Sequence, residues 1–288
     1  MRNILFKEEL EQVIEDIFVS YVDQDGSSSR EELYRDKPED HFSISSAGKC
    51  FLEQSWKYIN TTPTNKPDAD GFKRMRDGTQ MHEDLNKAIK WATAENFDNW
   101  NELYEKRTEK YVKLQDVPVH GHYDLALINH EKRHFLMVDF KTVSTWVWAS
   151  VKKDPKRNHK MQVYTYALGL AEELKKQELK DYTFECFIFY INKNDIKFHV
   201  THVQEDWEEM ALSYWNNLVH FKDNENLDDI KYKHGSLAYI ELLARYKSLE
   251  MNGMIGGVPF AAWECQYCDF QDMCPKKQEK PKPKRRRK

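Results

Sequence analysis

The middle of the chain changes from helical periodicity to segments rich in branched and aromatic residues, and this change indicates the fold class. Such residues favour strands, and they predict three of them, at residues 108–114, 117–128 and 134–142. Apolar residues at helical spacing predict helices before and after these strands, at residues 4–22, 71–91, 158–177, 205–222 and 236–250. The sequence therefore predicts an α/β core with helical additions on both sides.

Turn and capping residues predict further local structure. Two strands that form a hairpin are expected at residues 183–191 and 195–203. The hydroxyl groups of residues 43–46 are expected to cap a helix that carries Cys50. The segment 61–70, which contains two prolines and three asparagine or aspartate residues, is expected to be a loop.

Composition bounds the class of protein. The chain has 288 residues, 40% of them hydrophobic and 32% charged, which is enough to bury a substantial core. Its apolar runs fall well short of the roughly 20 residues that a membrane span requires. Acids within the apolar stripe of residues 4–22 fit an amphipathic helix and not a secretory signal, and five cysteines without such a signal favour a reducing compartment. We therefore expect a soluble, cytoplasmic protein with no membrane partner.

Charge is distributed unevenly along the chain. Residues 276–288 hold nine Lys or Arg and the single acid Glu279, although the whole chain has a formal charge of −4. The preceding residues therefore sum to −12. A nucleic acid would have to bind such an acidic body in a local groove, while a solvated, disordered basic tail could add unspecific attraction to phosphates.

Ionisable residues interrupt two of the apolar predicted strands. In HFLMVDFKT, Asp139 and Lys141 are two residues apart, so both side chains emerge on the same face of the strand. Asp124 is an isolated acid in the preceding strand, GHYDLALI. Burying such charges costs several kcal/mol unless they pair or bind a metal. Two carboxylates on adjacent strands are hard oxygen ligands that suit Mg²⁺ or Mn²⁺.

Asp124 followed by Asp139-Phe140-Lys141 resembles the signature of the PD-(D/E)XK nucleases. Upstream, GTQMH at residues 78–82 resembles the Gly-x-x-x-His motif of the RecB-like branch of that superfamily. Gln162 and Tyr166, four residues apart on a predicted helix, resemble its Gln-x-x-x-Tyr motif. The resemblance implies a restriction-endonuclease-like core, in which helices flank a central mixed β-sheet.

The same resemblance implies roles for these residues. A Mg²⁺ or Mn²⁺ ion would be held by four groups: His82, Asp124, Asp139 and the backbone carbonyl of Phe140. Lys141 would orient the attacking water or stabilise the transition state by its charge. Gln162 and Tyr166 would help to hold DNA or order the site.

The cysteines resemble the split cluster of the iron-sulfur CRISPR-associated exonucleases and of the AddB nuclease domain. Three late cysteines in the spacing C-x2-C-x5-C, Cys265, Cys268 and Cys274, follow Cys50 at a distance of 215 residues. The resemblance implies that these four residues bind a 4Fe-4S cluster, which would join the two ends of the domain. Four thiolates also suit tetrahedral Zn²⁺, so spacing alone leaves zinc open. Cys186 lies in an apolar run and is expected to be a buried small hydrophobe.

We predict three regions: an N-terminal helical segment at 1–42, a nuclease domain at 43–275 and a basic disordered tail at 276–288. The predicted activity is Mg²⁺- or Mn²⁺-dependent hydrolysis of DNA, as an exonuclease that prefers single strands. It would serve recombination, repair, phage DNA metabolism or CRISPR spacer processing, with DNA ends and proteins of those pathways as partners. A DNA-binding or adaptor subunit of such a complex, and a zinc-stabilised interaction protein without catalysis, are the alternatives. Trp146 and Trp148, just past the catalytic strand, could stack on unpaired bases or belong to the core.

Overall fold

The computed structural model describes residues 10–14, 16–17, 41–65, 69–94, 104–114, 116–178, 181–192, 194, 197–203, 207–224 and 268–274. The predicted helix at 236–250 and the basic tail at 276–288 lie outside these ranges. Residues 10–14 and 16–17 are helical, in agreement with the prediction for that segment.

Within the described residues, six strands form one sheet. They are β1 (Phe42–Ser43), β2 (Glu105–Lys113), β3 (Val119–Asn129), β4 (His134–Val143), β5 (Thr183–Asn192) and β6 (Lys197–Val203). Their order is β1-β3-β4-β5-β6, and β2 pairs additionally with β3. The β1–β3 and β4–β5 pairs are parallel, whereas β2–β3, β3–β4 and β5–β6 are antiparallel. The sheet is therefore mixed, as the restriction-endonuclease-like core requires.

Five α-helices and one 3₁₀ turn, at Ile44–Ser46, are present in the described ranges outside the amino-terminal residues. The helices are α1 (Phe51–Tyr58), α2 (Ala69–Ala94), α3 (Thr145–Lys153), α4 (Arg157–Glu178) and α5 (Trp207–Asn224). Helices α3 and α4 form the connection between the parallel strands β4 and β5, because a parallel pair needs a long crossover. Every helix in this part of the chain is too short or too polar to span a lipid bilayer.

Two apolar layers cover the sheet because alternate residues of β4 point to opposite faces. Phe135 and Met137 belong to the layer under α4 and α5, with the fully buried Trp215. Leu136 and Val138 belong to the opposite layer, which α2 and the helical residues 10–14 and 16–17 complete. A buried strand with helices on both faces reads as a continuous apolar run, as β4 does.

The structure corrects three local predictions. The serine-rich residues 43–46 form β1 and the 3₁₀ turn and do not cap α1, whose N-cap residue is Cys50. The loop predicted at 61–70 is shorter, because α2 already begins at Ala69. Helix α3 was not predicted at all, since its nine residues are too few to show a clear apolar period. The hairpin of β5 and β6 is confirmed.

Candidate functional site

The site begins where strands β3 and β4 separate. Their antiparallel ladder runs from Asn129↔His134 to Leu125↔Val138 and then ends. Asp124 and Asp139 are the next residues on each strand. The backbone N–H of Phe140 donates to Asp124 Oδ2 at 2.7 Å, so a carboxylate takes the place of a strand carbonyl. The two predicted acids are thus held side by side at the fork between the strands.

Asp139 and Lys141 share one face of β4, as their spacing predicts. Lys141 Nζ lies 2.5 Å from Asp139 Oδ2 and also donates to the Phe140 carbonyl at 3.4 Å. The Asp139 residue is only 1% exposed, whereas the Lys141 side chain retains 17% of its exposure. The buried Asp139 carboxylate therefore forms an ion pair with Lys141, whose ammonium group lies at the edge of the site.

His82 enters the fork from α2. Glycine 78 lies one turn earlier, where an added Cβ would come within 3.3 Å of Thr142 Oγ1. The absence of a side chain at Gly78 lets α2 approach β4 closely, which brings His82 Nδ1 to 3.2 Å from Asp124 Oδ1. The Gly-x-x-x-His spacing thus has a physical reason: the glycine permits the approach, and the histidine one turn later uses it.

Gln162 and Tyr166 enter from α4, on the opposite face of the sheet. Gln162 Nε2 donates to Asp139 Oδ1 at 3.3 Å and to the Tyr166 hydroxyl at 3.4 Å. Room for the Tyr166 ring exists because β3 has Gly121 at this point, where a Cβ would lie 3.1 Å from the ring. All six side chains predicted for the catalytic site therefore converge at the fork.

Burial and charge set the protonation of the two acids. Burial raises the pKa of Asp139 to about 6; the Lys141 ammonium opposes this rise, and the neighbouring Asp124 charge adds to it. Burial would also raise the pKa of Asp124, but His82 outweighs it and the pKa is lowered. The same contact raises the pKa of His82 against the effect of burial. Two carboxylates this close cannot both ionise freely, unless a cation balances them.

The donor set at the fork fits a hard divalent ion. It offers two carboxylates, an imidazole and the Phe140 carbonyl, and burial keeps the pKa of Asp139 raised in spite of the Lys141 ammonium group. Within the described ranges, no three His, Cys, Asp or Glu side chains enclose a metal position. Mg²⁺ and Mn²⁺ suit such a partly open set, because they retain several water ligands.

Comparison with known protein families identifies the superfamily of this chain. A family model of the PD-(D/E)XK nuclease superfamily matches residues 33–275. The chain belongs to the PD-(D/E)XK nuclease superfamily. Among curated proteins, none matches the chain significantly.

Two solved structures are similar to this chain at low identity. SSO0001 is similar with a TM-score of 0.45 and 14% identity, covering 92% of this chain and 97% of its own. A protein from Eubacterium rectale, whose name suggests an exonuclease, has a TM-score of 0.40 and 12% identity. That match covers 70% of this chain and 89% of the other. At these scores, neither likeness adds to the assignment made by the family model.

Glu109 lies next to this PD-(D/E)XK site, and the sequence did not reveal its position. It lies on β2 opposite Asp124, and the β2–β3 ladder skips this one pair although it continues on both sides. Its φ of 50° puts it in the left-handed region, which is strained for a residue with a side chain. Glu109 Oε1 accepts a hydrogen bond from the buried Asn86 amide of α2 at 2.7 Å. Among the alternating charges of β2, nothing in the sequence distinguishes this glutamate.

A His–Tyr pair beside Lys141 was also missed. Tyr190 is the β5 partner of Lys141 in the sheet register, and its hydroxyl lies 3.0 Å from His159 Nδ1 on α4. Burial lowers the pKa of His159 well below its usual value, and the charges of Lys141 and Lys156 lower it further. The imidazole is therefore neutral, and it adds a polar group to the site without adding charge.

The cysteine cluster forms a second candidate site. Three of the four predicted ligands, Cys50, Cys268 and Cys274, pack around one small apolar group with Trp56 and Phe270. The fourth, Cys265, lies outside the described residues. The chain thus brings thiols from opposite ends of the sequence into one cluster, although these three also do not enclose a metal position by themselves.

Hydrogen bonds join the two segments that carry these thiols. The backbone N–H groups of Thr64 and Asn65 donate to the Asp269 carbonyl at 2.9 and 2.7 Å, and the Asn65 amide donates to the Cys268 carbonyl at 3.1 Å. Lys57 Nζ lies 3.0 Å from Asp269 Oδ2. The loop after α1 is therefore attached directly to residues 268–269.

The chemistry of these thiols fits a cationic group. Burial raises the pKa of Cys50 well above its usual range, the nearby Cys268 adds to this rise, and the backbone amides of Glu53 and Leu52 oppose it. A buried thiol of this kind ionises only when a metal compensates its charge. Cys186, in contrast, is 1% exposed in the main core and is a small hydrophobe, as predicted.

Proposed function

We propose that this PD-(D/E)XK protein is a Mg²⁺- or Mn²⁺-dependent deoxyribonuclease that acts from DNA ends and prefers single strands. One observation carries the proposal: two carboxylates and a lysine meet at a fork in the sheet, with Lys141 Nζ 2.5 Å from Asp139. A buried charge cluster of this kind contributes little to stability, because apolar residues of similar size would stabilise the fold equally well. Its presence therefore favours a chemical role over a purely structural one.

The ion would be held by Asp124, Asp139, the Phe140 carbonyl and His82. When bound, the ion would lower the pKa of a water molecule and neutralise negative charge on the phosphate. His82 also orients Asp124 through its 3.2 Å contact, which fixes one carboxylate oxygen. Gln162 does the same for Asp139 from the other face of the sheet.

Lys141 acts on the phosphate directly. Its ammonium group is held by Asp139 and the Phe140 carbonyl, so it presents a fixed positive charge at the edge of the fork. A charge fixed in advance stabilises the transition state without reorganisation during the reaction. The exposed part of the Lys141 side chain is what allows a phosphate to approach it.

We also propose a structural role for the cysteine cluster. Cys50, Cys265, Cys268 and Cys274 would bind a 4Fe-4S cluster, which would close a loop of more than 200 residues. Support comes from the packing of three of these thiols and from the burial of Cys50. Iron and zinc analysis of anaerobically purified protein, together with its visible absorbance, distinguishes this cluster from a zinc site.

Digestion of end-labelled DNA tests the activity. The purified chain should degrade single-stranded DNA in Mn²⁺ or Mg²⁺ and be inactive in EDTA. Asp139→Asn should be inactive under all conditions, and Asp181→Asn, which changes a carboxyl group that is 84% exposed, should cut like the parent. DNA binding without cutting by the parent chain would instead support an adaptor subunit.

A further inference from the structure

Helix α3 carries a tryptophan in an unusual position. The helix starts two residues after β4, the strand that bears Asp139 and Lys141, and its second residue, Trp146, is 91% exposed. Trp is the largest apolar side chain and is seldom left in water, since burying it contributes several kcal/mol. At about 3.3 Å per residue, the four residues from Lys141 to the start of α3 at Thr145 span at most roughly 13 Å.

The second tryptophan of the helix has a different role. Trp148 is half-buried, and its ring meets His199 of β6 edge-on at a centroid distance of 6.2 Å. Lys152 Nζ lies 5.9 Å from the centre of the same ring. Trp148, with the buried Val151, therefore fixes α3 against the body of the protein. That packing leaves Trp146 on the outer side.

The outer side of α3 is a narrow strip at helical spacing. Trp146, Ala149, Ser150 and Lys153 stand at positions i, i+3, i+4 and i+7, and all four are exposed. The two middle residues are small, and the Ser150 hydroxyl donates to the Val147 carbonyl at 2.7 Å. An extended chain could therefore lie close to the helix between the indole and the lysine.

The charge around this strip suits a polyanion. Residues 145–160 contain five Lys or Arg and one acid, Asp154. That acid lies 2.7 Å from Lys160 and is thereby partly neutralised. In a chain with a formal charge of −4, this segment is a local basic surface beside the fork. Basic side chains next to an exposed ring are the combination by which proteins hold unpaired nucleic acid.

We propose that the α3 strip, Trp146, Ala149, Ser150 and Lys153, binds single-stranded DNA as it enters the fork. Trp146 stacks on an unpaired base, and Lys153 meets the phosphates that follow. The proposal rests on the proposed nuclease function and gives a structural reason for its preference for single strands, because a paired base in the interior of a duplex offers no free face to an indole. The exposed indole and the surrounding positive charge favour this occupant over a protein partner or a second copy of the chain.

Binding measurements test the strip. Asp139→Asn serves as a non-cutting background, and the anisotropy of a fluorescein-labelled oligothymidylate is followed in EDTA. Trp146→Ala should weaken binding about tenfold, the effect of losing one stacked base. Trp146→Phe should retain most of the affinity, and Trp146→Leu, which is apolar but has no aromatic face, should behave like Trp146→Ala. Ile59→Ala, which shortens another exposed apolar residue (52% exposed), is the matched control and should bind like the background.

An oligonucleotide with abasic positions separates stacking from charge. The background protein should bind it about as weakly as Trp146→Ala binds oligothymidylate, and Trp146→Ala should lose nothing further. Lys153→Ala should instead weaken both ligands and reduce the salt dependence of binding.

Three results would overturn the proposal. Equal binding of oligothymidylate by Trp146→Ala and the background, in a chain that does cut DNA, would contradict the proposed role of the strip. It would leave the proposed nuclease function unaffected. A change of oligomeric state in Trp146→Ala by analytical ultracentrifugation would show that the indole covers another protein surface. Absence of cutting and of DNA binding by the parent chain would remove the proposed function and the strip together.

Discussion

The fork and the cysteine cluster both unite residues that are distant in sequence, but different forces hold them. The fork lies between two strands of a six-stranded sheet, and buried layers cover both of its faces. The cysteine cluster has a small apolar group of its own and a few hydrogen bonds to the loop after α1. Charge at the fork is therefore supported by a rigid scaffold, whereas the cysteine cluster depends on whatever its thiols bind.

This difference means that chemistry and stability should separate in variants. Substitution of the charged side chains at the fork should abolish catalysis in a protein that remains folded, because the sheet does not depend on these side chains. Losses at the cysteine cluster should unfold the protein and affect catalysis only through the folded fraction.

Lys141→Ala should have the largest effect on catalysis. We expect the rate of DNA cleavage to fall by about 10²- to 10³-fold, because one fixed positive charge is lost from the transition state. The free energy of unfolding should fall by no more than about 2 kcal/mol, since Asp139 can take up a proton when its partner is removed. Lys175→Ala, which removes a 62% exposed lysine, is the matched control for both measurements. Cleavage at the parent rate by Lys141→Ala would contradict the assignment.

Cys268→Ala should have the largest effect on stability. Loss of a cross-link over so long a loop should lower the free energy of unfolding by about 3–5 kcal/mol, measured by urea denaturation. Cleavage per folded molecule should stay close to that of the parent. Cys186→Ala is the control, because it should leave the bound metal content unchanged. A Cys268→Ala variant with the same free energy of unfolding as the parent would show that the cysteines do not cross-link the two ends of the domain.

Stabilisation by Mn²⁺ should depend on pH through Asp139. Burial raises its pKa to about 6, so the folded, metal-free protein binds this proton more tightly than the unfolded chain does. That proton contributes stability below the unfolded pKa, and the contribution is lost as the pH rises through about 6. Mn²⁺ needs the ionised carboxylate and should therefore stabilise the protein at pH 8, by about 2.7 kcal/mol at a hundred times its Kd, and much less at pH 5.

Thermal unfolding with and without Mn²⁺ at the two pH values measures this effect. Asp139→Asn should remove most of the Mn²⁺-dependent shift at pH 8. Equal shifts at pH 5 and pH 8 in the parent would indicate that the ion binds elsewhere.

Gly78→Ala should give a smaller effect that reports on the approach of α2. The added Cβ would lie 3.3 Å from Thr142 Oγ1, so the helix or the threonine must move by a few tenths of an ångström. We expect cleavage to fall by about tenfold through displacement of His82, with a stability loss of about 1 kcal/mol. The double variant Gly78→Ala/Thr142→Ala removes the contact and should recover most of the activity. Failure of this recovery would mean that the glycine has another role.

Periodic patterns made much of this site predictable from the sequence. Two residues separated by one on a strand share a face, which is why Asp139 and Lys141 could be paired before their 2.5 Å contact was known. Residues that are four apart on a helix also share a face, which is why Gln162 and Tyr166 could be paired. The resemblance to the iron-sulfur nucleases likewise implied that Cys50 lies near Cys268 and Cys274, as it does. These pairings depend on short-range spacing or on a recognisable motif, so they can be predicted from the sequence.

Other features arise only when elements pack against each other. The ladder ends at Leu125↔Val138, and Glu109 leaves the regular strand opposite Asp124, because of register and packing across strands. The two tryptophans of α3 look alike in sequence, yet β6 covers Trp148 and leaves Trp146 in solvent. Sequence periodicity fixes which side of an element a residue occupies. Which neighbour covers that side depends on contacts between residues far apart in the chain, and only the assembled fold supplies those.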